Sequence, residues 1–389
     1  MMTEPSTHTR PRHVADRPPR TRLDSWPRRS TRRWLIRALF SLPYLIFALV
    51  VASLGSGDSP NATLVDRALQ VAWDRADAQW LGELFPPLST LLAAFVPGGE
   101  LSMSIIGAVS AGIFLQKLVE IMVQRRFPRS TIVILLIALA LNPLFFYNAT
   151  QNLAAFLGLV FFGLGLSHIV RFITWGNTES GFRVGLYFMI AVLTDVTALV
   201  YVTAAAVSAP FLRHRRVGEK GARRANALVI LYPAAAALVS LAVLNTVFLR
   251  SPFAGATQTA FSDFGQRLTT AGEFFLTVEG ALVIAPVISA WLIAIIVRRP
   301  GAIFISTLVF VAFIVGFALG LLPEGSTGNI FITMTLMAIA LVPTARTRTT
   351  TALIDAVAVV QIAIAWAAAL TSTALAVWAA QVFGDAAGG

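Results

Sequence analysis

Along this chain, apolar residues gather in continuous runs of about twenty, and the charged residues fall mostly between them. A helix needs about 20 apolar residues to cross the hydrocarbon core of a bilayer. The runs are rich in Leu, Ala, Val and Ile and lack the every-second-residue alternation of barrel strands, so the pattern predicts an all-α, polytopic integral membrane protein. Spans are expected at about 34–54, 102–123, 131–148, 152–171, 227–248, 280–297, 302–321, 329–343 and 352–378. The stretch from Arg183 to Leu212 is handled separately, because it is closed by Arg213-His214-Arg215-Arg216 and a single crossing would leave one basic end on the wrong side. Two short helices turning near Thr194-Asp195 satisfy both ends and bring the expectation to about 11 transmembrane helices.

Charge then orients the spans. Short loops bearing several arginines stay in the cytoplasm, and Gln124-Arg125-Arg126-Phe127-Pro128-Arg129, Arg171, Arg213–Arg224, Arg298-Arg299-Pro300 and Arg346/Arg348 all fall on one side of this arrangement. Residues 55–100 form a long outer loop with scattered acids: Asp58, Asp66, Asp74, Asp77, Glu83 and Glu100. Residues 1–33 are polar, rich in Pro, Thr and Arg, and too poor in apolar side chains to fold alone, which predicts a disordered, basic cytoplasmic tail. A signal peptide is the competing reading, although the charged stretch is long for one and many spans follow. The expected divisions are the tail (1–33), a module from 34 to 226 that includes the outer loop, and C-terminal transmembrane helices from 227 to 389. The N-terminus is expected inside and the C-terminus outside, in the plasma membrane of a bacterium.

Composition narrows the function classes. Hydrophobic residues make up 57% of the chain and charged residues 13%, with a net charge of +11 that is almost all arginine. In a soluble chain such a balance suggests nucleic acid; here the arginines lie between spans, where anionic lipid is their partner and no nucleic acid is implied. The chain has no cysteine, which excludes disulfides, thiolate catalysis and Cys-ligated metal. The four histidines are scattered and no metal site is expected, while a divalent-metal requirement is left open.

Candidate chemistry gathers in the outer loop. Asp58-Ser59-Pro60 follows the first span, Ala62–Ala76 has the pattern of an amphipathic helix, and Phe85-Pro86-Pro87-Leu88 comes about 28 residues after Asp58. Pro86 and Pro87 suit a helix start that aims the loop back at the membrane. Asp58 is the leading base candidate, since sugar transfer to a hydroxyl needs a carboxylate to take the acceptor's proton; the plainer readings are a solvated loop acid or an N-cap. Asp66 is the second candidate, with a solvated helix face as its plainer reading. Asp195 lies between two apolar helices, where an ionisable residue is a functional hypothesis unless the turn simply reaches outer water. Lys117 and Glu120, one helical turn apart, are expected to pair or snorkel. His168 reads as a packing or interfacial residue.

The acid after the first span, the juxtamembrane helix, Pro-Pro-Leu and the basic loop that follows resemble the GT-C superfamily of polyprenyl-phosphate-dependent membrane glycosyltransferases. Gly185-Leu186-Tyr187-Phe188-Met189-Ile190-Ala191-Val192-Leu193-Thr194 is similar to the segment that opens that superfamily's short helix pair. The resemblance covers about residues 35–215. It implies an inverting transfer of a sugar from a polyprenyl-phosphate donor to an envelope glycan, lipid or protein acceptor, with Asp58 or Asp66 catalytic. Pro86, Pro87 and Asp195 would then line the substrate site, and Arg250 and Arg267 on the loop after the span at 227–248 would clamp the donor phosphate. The chain departs from the family pattern at Ser59, where many members have a second acid, at Asn148-Ala149-Thr150-Gln151-Asn152, where a further acid is usual, and at Asp195, where a basic residue is usual. Two other classes stay open: a non-catalytic relative that scaffolds envelope assembly, and a transporter or flippase of lipid-linked precursors.

Overall fold

The computed structural model describes residues 25–55, 58–73, 80–175, 178–208, 222–252, 263–298, 300–322 and 347–384, together with 330, 332, 333 and 336. Among them no strand occurs, and the chain is a helical bundle. Its first half contains α1 (Ser30–Leu54), α2 (Pro60–Gln70), α3 (Trp80–Glu83), α4 (Pro87–Phe95), α5 (Gly99–Gln124), α6 (Arg129–Ala140), α7 (Pro143–Gln151) and α8 (Leu153–Trp175). The second half contains α9 (Thr178–Thr194), α10 (Thr197–Ser208), α11 (Ala222–Leu249), α12 (Phe264–Phe275), α13 (Val278–Ile296), α14 (Pro300–Ala318), α15 (Arg348–Thr371) and α16 (Thr373–Gly384).

Five helices are long and apolar enough to cross a membrane: Ser30–Leu54, Gly99–Gln124, Ala227–Leu249, Val278–Ile296 and Arg348–Thr371. Counting the α6–α7 pair, bent by 56°, as one span makes six. This is a multi-pass membrane protein, and its surface reads accordingly. On α1, Leu35, Leu39, Leu42, Ile46 and Leu49 are exposed, at helical spacing, whereas Ser41, Tyr44, Ala48 and Val51 face the bundle. The apolar stripe points outward and the smaller, more polar one inward, as a lipid solvent demands.

Small residues set the packing. A Cβ on Gly112 of α5 would run into the Arg37 carbonyl oxygen and lie 2.7 Å from the Ser41 amide, and one on Gly107 would run into the Ala149 carbonyl oxygen. These glycines let the backbones of α1 and α7 approach α5, the usual route to tight helix association where lipid offers no hydrophobic drive. Gly181 and Gly185 of α9 face Val229 and Pro233 of α11. The constant offset means the two helices run parallel. Around them lies the main core, with Phe162 stacked on Phe188 at 5.5 Å and tilted against Tyr201 at 5.6 Å.

The arginine-bearing helix ends gather at one end of the bundle. Arg37 donates from Nε to Gln116 at 3.0 Å, tying the start of α1 to the last third of α5. Glu120 joins α5 to Arg171 of α8 at 3.4 Å. Thr131 donates to Asp355 at 2.6 Å, linking α6 to α15, and Ile293 and Val297 of α13 pack with Ile354 and Val357 there. Lys117 and Glu120 pair at 2.6 Å, as their spacing predicts.

Several expectations change. The outer loop is mostly helical, folded as α2, α3 and α4. Its amphipathic helix begins at Pro60 and ends at Gln70, earlier than the predicted 62–76, because Ser59 caps it. The stretch 183–212 does contain two helices that break after Thr194, but the first starts back at Thr178. The span at 131–148 is broken at Asn142-Pro143, and the one at 352–378 is interrupted at Ser372. The loop 249–277 carries α12. Residues 1–24, the loop 213–221, Pro323-Glu324-Gly325 and most of the span at 329–343 lie outside the described residues.

Candidate functional site at the arginine-poor end

The end of the bundle opposite the arginine clusters is built around α2. Ser59 accepts a hydrogen bond from the Ala62 amide at 3.1 Å and donates to Glu100, so it both caps α2 and holds it to the start of α5. Pro60 takes the first helical position, where a missing N–H costs nothing. Asn61 is the anchor. Its Nδ2 donates to the Thr150 carbonyl at 3.0 Å and to Ser104 Oγ at 3.3 Å, and its Oδ1 accepts from the Leu153 amide at 2.8 Å. Asn61 therefore satisfies one carbonyl at the end of α7 and one amide at the start of α8, where the helix break at Asn152 would otherwise leave them orphaned in a buried place. Leu64 and Ala68, one and two turns on, pack with Ala93 of α4, Met103 of α5 and Leu153 of α8.

Asp58 sits immediately before this cap. It is exposed, and among the described residues it has no hydrogen-bond or ion-pair partner. The N-cap role considered for it belongs to Ser59 instead, because it is the Ser59 hydroxyl that accepts from the Ala62 amide. Asp66 is also exposed, on the face of α2 turned away from the bundle.

Pro86 and Pro87 start a helix, as their type predicts. Pro87 is the first residue of α4, and the Pro86 carbonyl accepts from the Thr90 amide at 3.2 Å and from the Thr90 hydroxyl at 2.9 Å. Helix α4 packs on α2 and on α9. Asp195 ends α9 and opens α10: its carboxylate accepts from the Thr197 hydroxyl and from the amides of Val196, Thr197 and Ala198. It is half-buried against Gly158 of α8, where an added Cβ would meet the Asp195 Cβ at 3.0 Å. A capping carboxylate is the local reason for this acid, and its neighbours show it is not simply a turn tip in water.

The structure thus brings Asp58, Asp66, Pro86, Pro87 and Asp195 onto adjoining elements at one end of the molecule. It does not unite the two arginines. Arg250 is exposed just past α11, which packs on α9 and α3, with a left-handed φ of 57°. Arg267 belongs to α12, which packs on α13 and α14, and its guanidinium lies over Gly320. Phe264 beside it is exposed, whereas Phe253 and Phe261 fall outside the described residues.

At the opposite end, buried Glu120 meets Lys117, Arg171, Gln116 and Gln124, and Gln116 in turn donates to the Trp26 carbonyl at 2.6 Å. His168 is buried and stacked on Tyr187 at 5.4 Å, a packing role in keeping with its sequence context. Among the described residues no three His, Asp or Glu side chains cluster as metal ligands.

Sequence reasoning missed Asn61, which it registered only as part of Asn61-Ala62-Thr63. The signal was present in the amide-rich Asn148-Ala149-Thr150-Gln151-Asn152: a helix break among amides needs partners, and a buried amide elsewhere is the natural one. No protein family, curated protein or solved structure matches this chain.

Proposed function

We propose that this protein is a GT-C-like membrane glycosyltransferase that moves a sugar from a polyprenyl-phosphate donor to a cell-envelope acceptor at the outer face of the plasma membrane. The arginine-rich end then faces the cytoplasm, the α2–α4 end faces out, and the shorter and broken apolar helices complete about eleven crossings. Asp58 takes the acceptor's proton as the donor phosphate leaves, with Asp66 beside it on α2. Pro86, Pro87 and Asp195 shape the site, and Arg250 and Arg267 meet the phosphate. The observation that carries this reading is the free, exposed Asp58 carboxylate held at the tip of a helix that is itself clamped to the bundle by Ser59 and Asn61. A base needs to be accessible and fixed at once.

A second reading has its own observation. The residues where the superfamily usually has a further acid are buried, and the break there is closed by Asn61, which suits a non-catalytic relative that scaffolds envelope assembly.

The deciding experiment supplies purified protein with polyprenyl-phosphate-linked sugars and an envelope acceptor fraction. Transfer by the wild type and its loss in Asp58→Asn, with unchanged thermal unfolding, is the expected result. A wild type that neither transfers sugar nor binds polyprenyl phosphate, or an Arg250→Ala/Arg267→Ala double variant that binds it unchanged, sinks the transferase reading and leaves the scaffold.

A further inference from the structure

We infer that α2 and the end of α4 form an in-plane membrane anchor, embedded in the leaflet at the arginine-poor end and held there by Leu69, Trp73 and Phe95, with a lipid surface as the partner.

The first observation is the three-sided character of α2. At about 100° per residue, its bundle-facing residues Asn61, Leu64 and Ala68 fill one sector, and Val65, Leu69 and Ala62 fill the adjoining one. Thr63, Asp66, Arg67 and Gln70 occupy the remainder. A helix lying on a soluble protein needs only an apolar face and a polar face. This one has a second apolar flank, and Leu69 on it is 78% exposed. The flank continues beyond the helix: Trp73 is 44% exposed and Phe95 73%, with their rings 5.8 Å apart, and Trp80 lies 5.7 Å from Trp73 on its other side. Exposed, mutually packed aromatics on an apolar ridge suit the interfacial zone, where rings of this kind concentrate.

The second observation is depth. The apolar stretch of α1 from Trp34 to Leu54 is about 31 Å long, close to the thickness of a hydrocarbon core. Helices α1 and α5 run antiparallel in a register set by Arg37 against Gln116 and Ser41 against Val109 and Gly112. Continued upward, that register sets Ala48 opposite Ser104 and Leu54 opposite Gly98. Asn61 bonds Ser104, so the first turn of α2 lies about six residues, or about 9 Å, short of the end of α1. That is within the 5–10 Å to which interfacial helices sink. With the bundle on one side and water taken by Asp66, Arg67 and Gln70, the flank carrying Leu69 has acyl chains as its neighbour.

The inference does not depend on transferase activity, and its test reads none. The chain has no cysteine, so single nitroxide labels can be placed without background. Leu69→Cys, Phe95→Cys, Asp66→Cys and, as a mid-span lipid-facing reference, Ile46→Cys are labelled in full-length protein in nanodiscs of phosphatidylethanolamine and phosphatidylglycerol. Collision with oxygen and with a water-soluble nickel chelate is then measured. Positions 69 and 95 should show an oxygen-to-nickel ratio several-fold above position 66 and approaching that of position 46. Equal ratios at 69, 95 and 66 would place the ridge in water and overturn the inference. Protection of 69 and 95 from both reagents would overturn it too, by showing a protein surface over the ridge. The two labels sit on different helices, so misfolding of one variant leaves the other to decide.

Discussion

Asn61 and Leu153, 92 residues apart in the chain, are joined by a 2.8 Å hydrogen bond from the Leu153 amide to the Asn61 side-chain oxygen. The same side chain donates to the Thr150 carbonyl, so one amide bridges the gap between two helices that it does not belong to. Because Asn61 is 1% exposed, water cannot take its place.

Asn61→Ala should therefore lower stability by about 1–3 kcal/mol, the cost of leaving buried backbone groups unpaired. Thermal unfolding of the purified protein in detergent measures it. Asn61→Asp, which keeps an acceptor for the Leu153 amide but cannot donate to the Thr150 carbonyl, should also destabilise; a neutral effect of both variants would mean that the break closes by other means.

Glu120 is the buried acid between Lys117 and Arg171. Removing it as Glu120→Gln leaves two partly buried cations without a counter-charge and should cost about 3 kcal/mol, the low end for a broken buried pair because both cations keep some contact with water. Adding Lys117→Met to that variant should recover part of the loss. Additive effects in this double-mutant cycle would show that the pair is not coupled.

Two glycines should respond oppositely to a methyl group. Gly112→Ala forces a Cβ against the backbone of α1 and should destabilise by about 1–3 kcal/mol. Gly272→Ala, in α12 with nothing within 4 Å, should be neutral or stabilising by about 0.5–1 kcal/mol, since it removes backbone freedom from the unfolded chain. Chemical or thermal denaturation of the pair checks the packing of α1 on α5.

Topology is open to a direct check with cysteine labelling. Asp66 and Arg250 are exposed at the arginine-poor end, and Arg126 and Arg298 at the other. Single cysteines at 66 and 250 should react with an impermeant maleimide added to intact cells, and those at 126 and 298 only after lysis. Reaction of 126 and 250 from the same side would contradict the arrangement. Position 61, although it lies in the same loop, is unsuitable because its side chain is buried.

The sequence by itself determined the class of the molecule and much of its order. Membrane-length apolar runs admit only helices, arginine position sorts the connections, and local chemistry was enough for the proline start of α4, the break after Thr194 and the Lys117–Glu120 pair. These are decided within a few residues of where they occur. What the tertiary structure decided are relations between distant segments. Ser59, rather than Asp58, caps α2 because its hydroxyl is turned to the Ala62 amide and to Glu100, 41 residues away. The outer loop becomes a packed helical cap because Leu64 and Ala68 find Met103 and Leu153, and no periodicity within the loop names those partners. Arg250 and Arg267, neighbours on one predicted loop, are set on different helix neighbours for the same reason: hydrophobic pattern fixes which face of a helix is buried, but only packing settles what it is buried against.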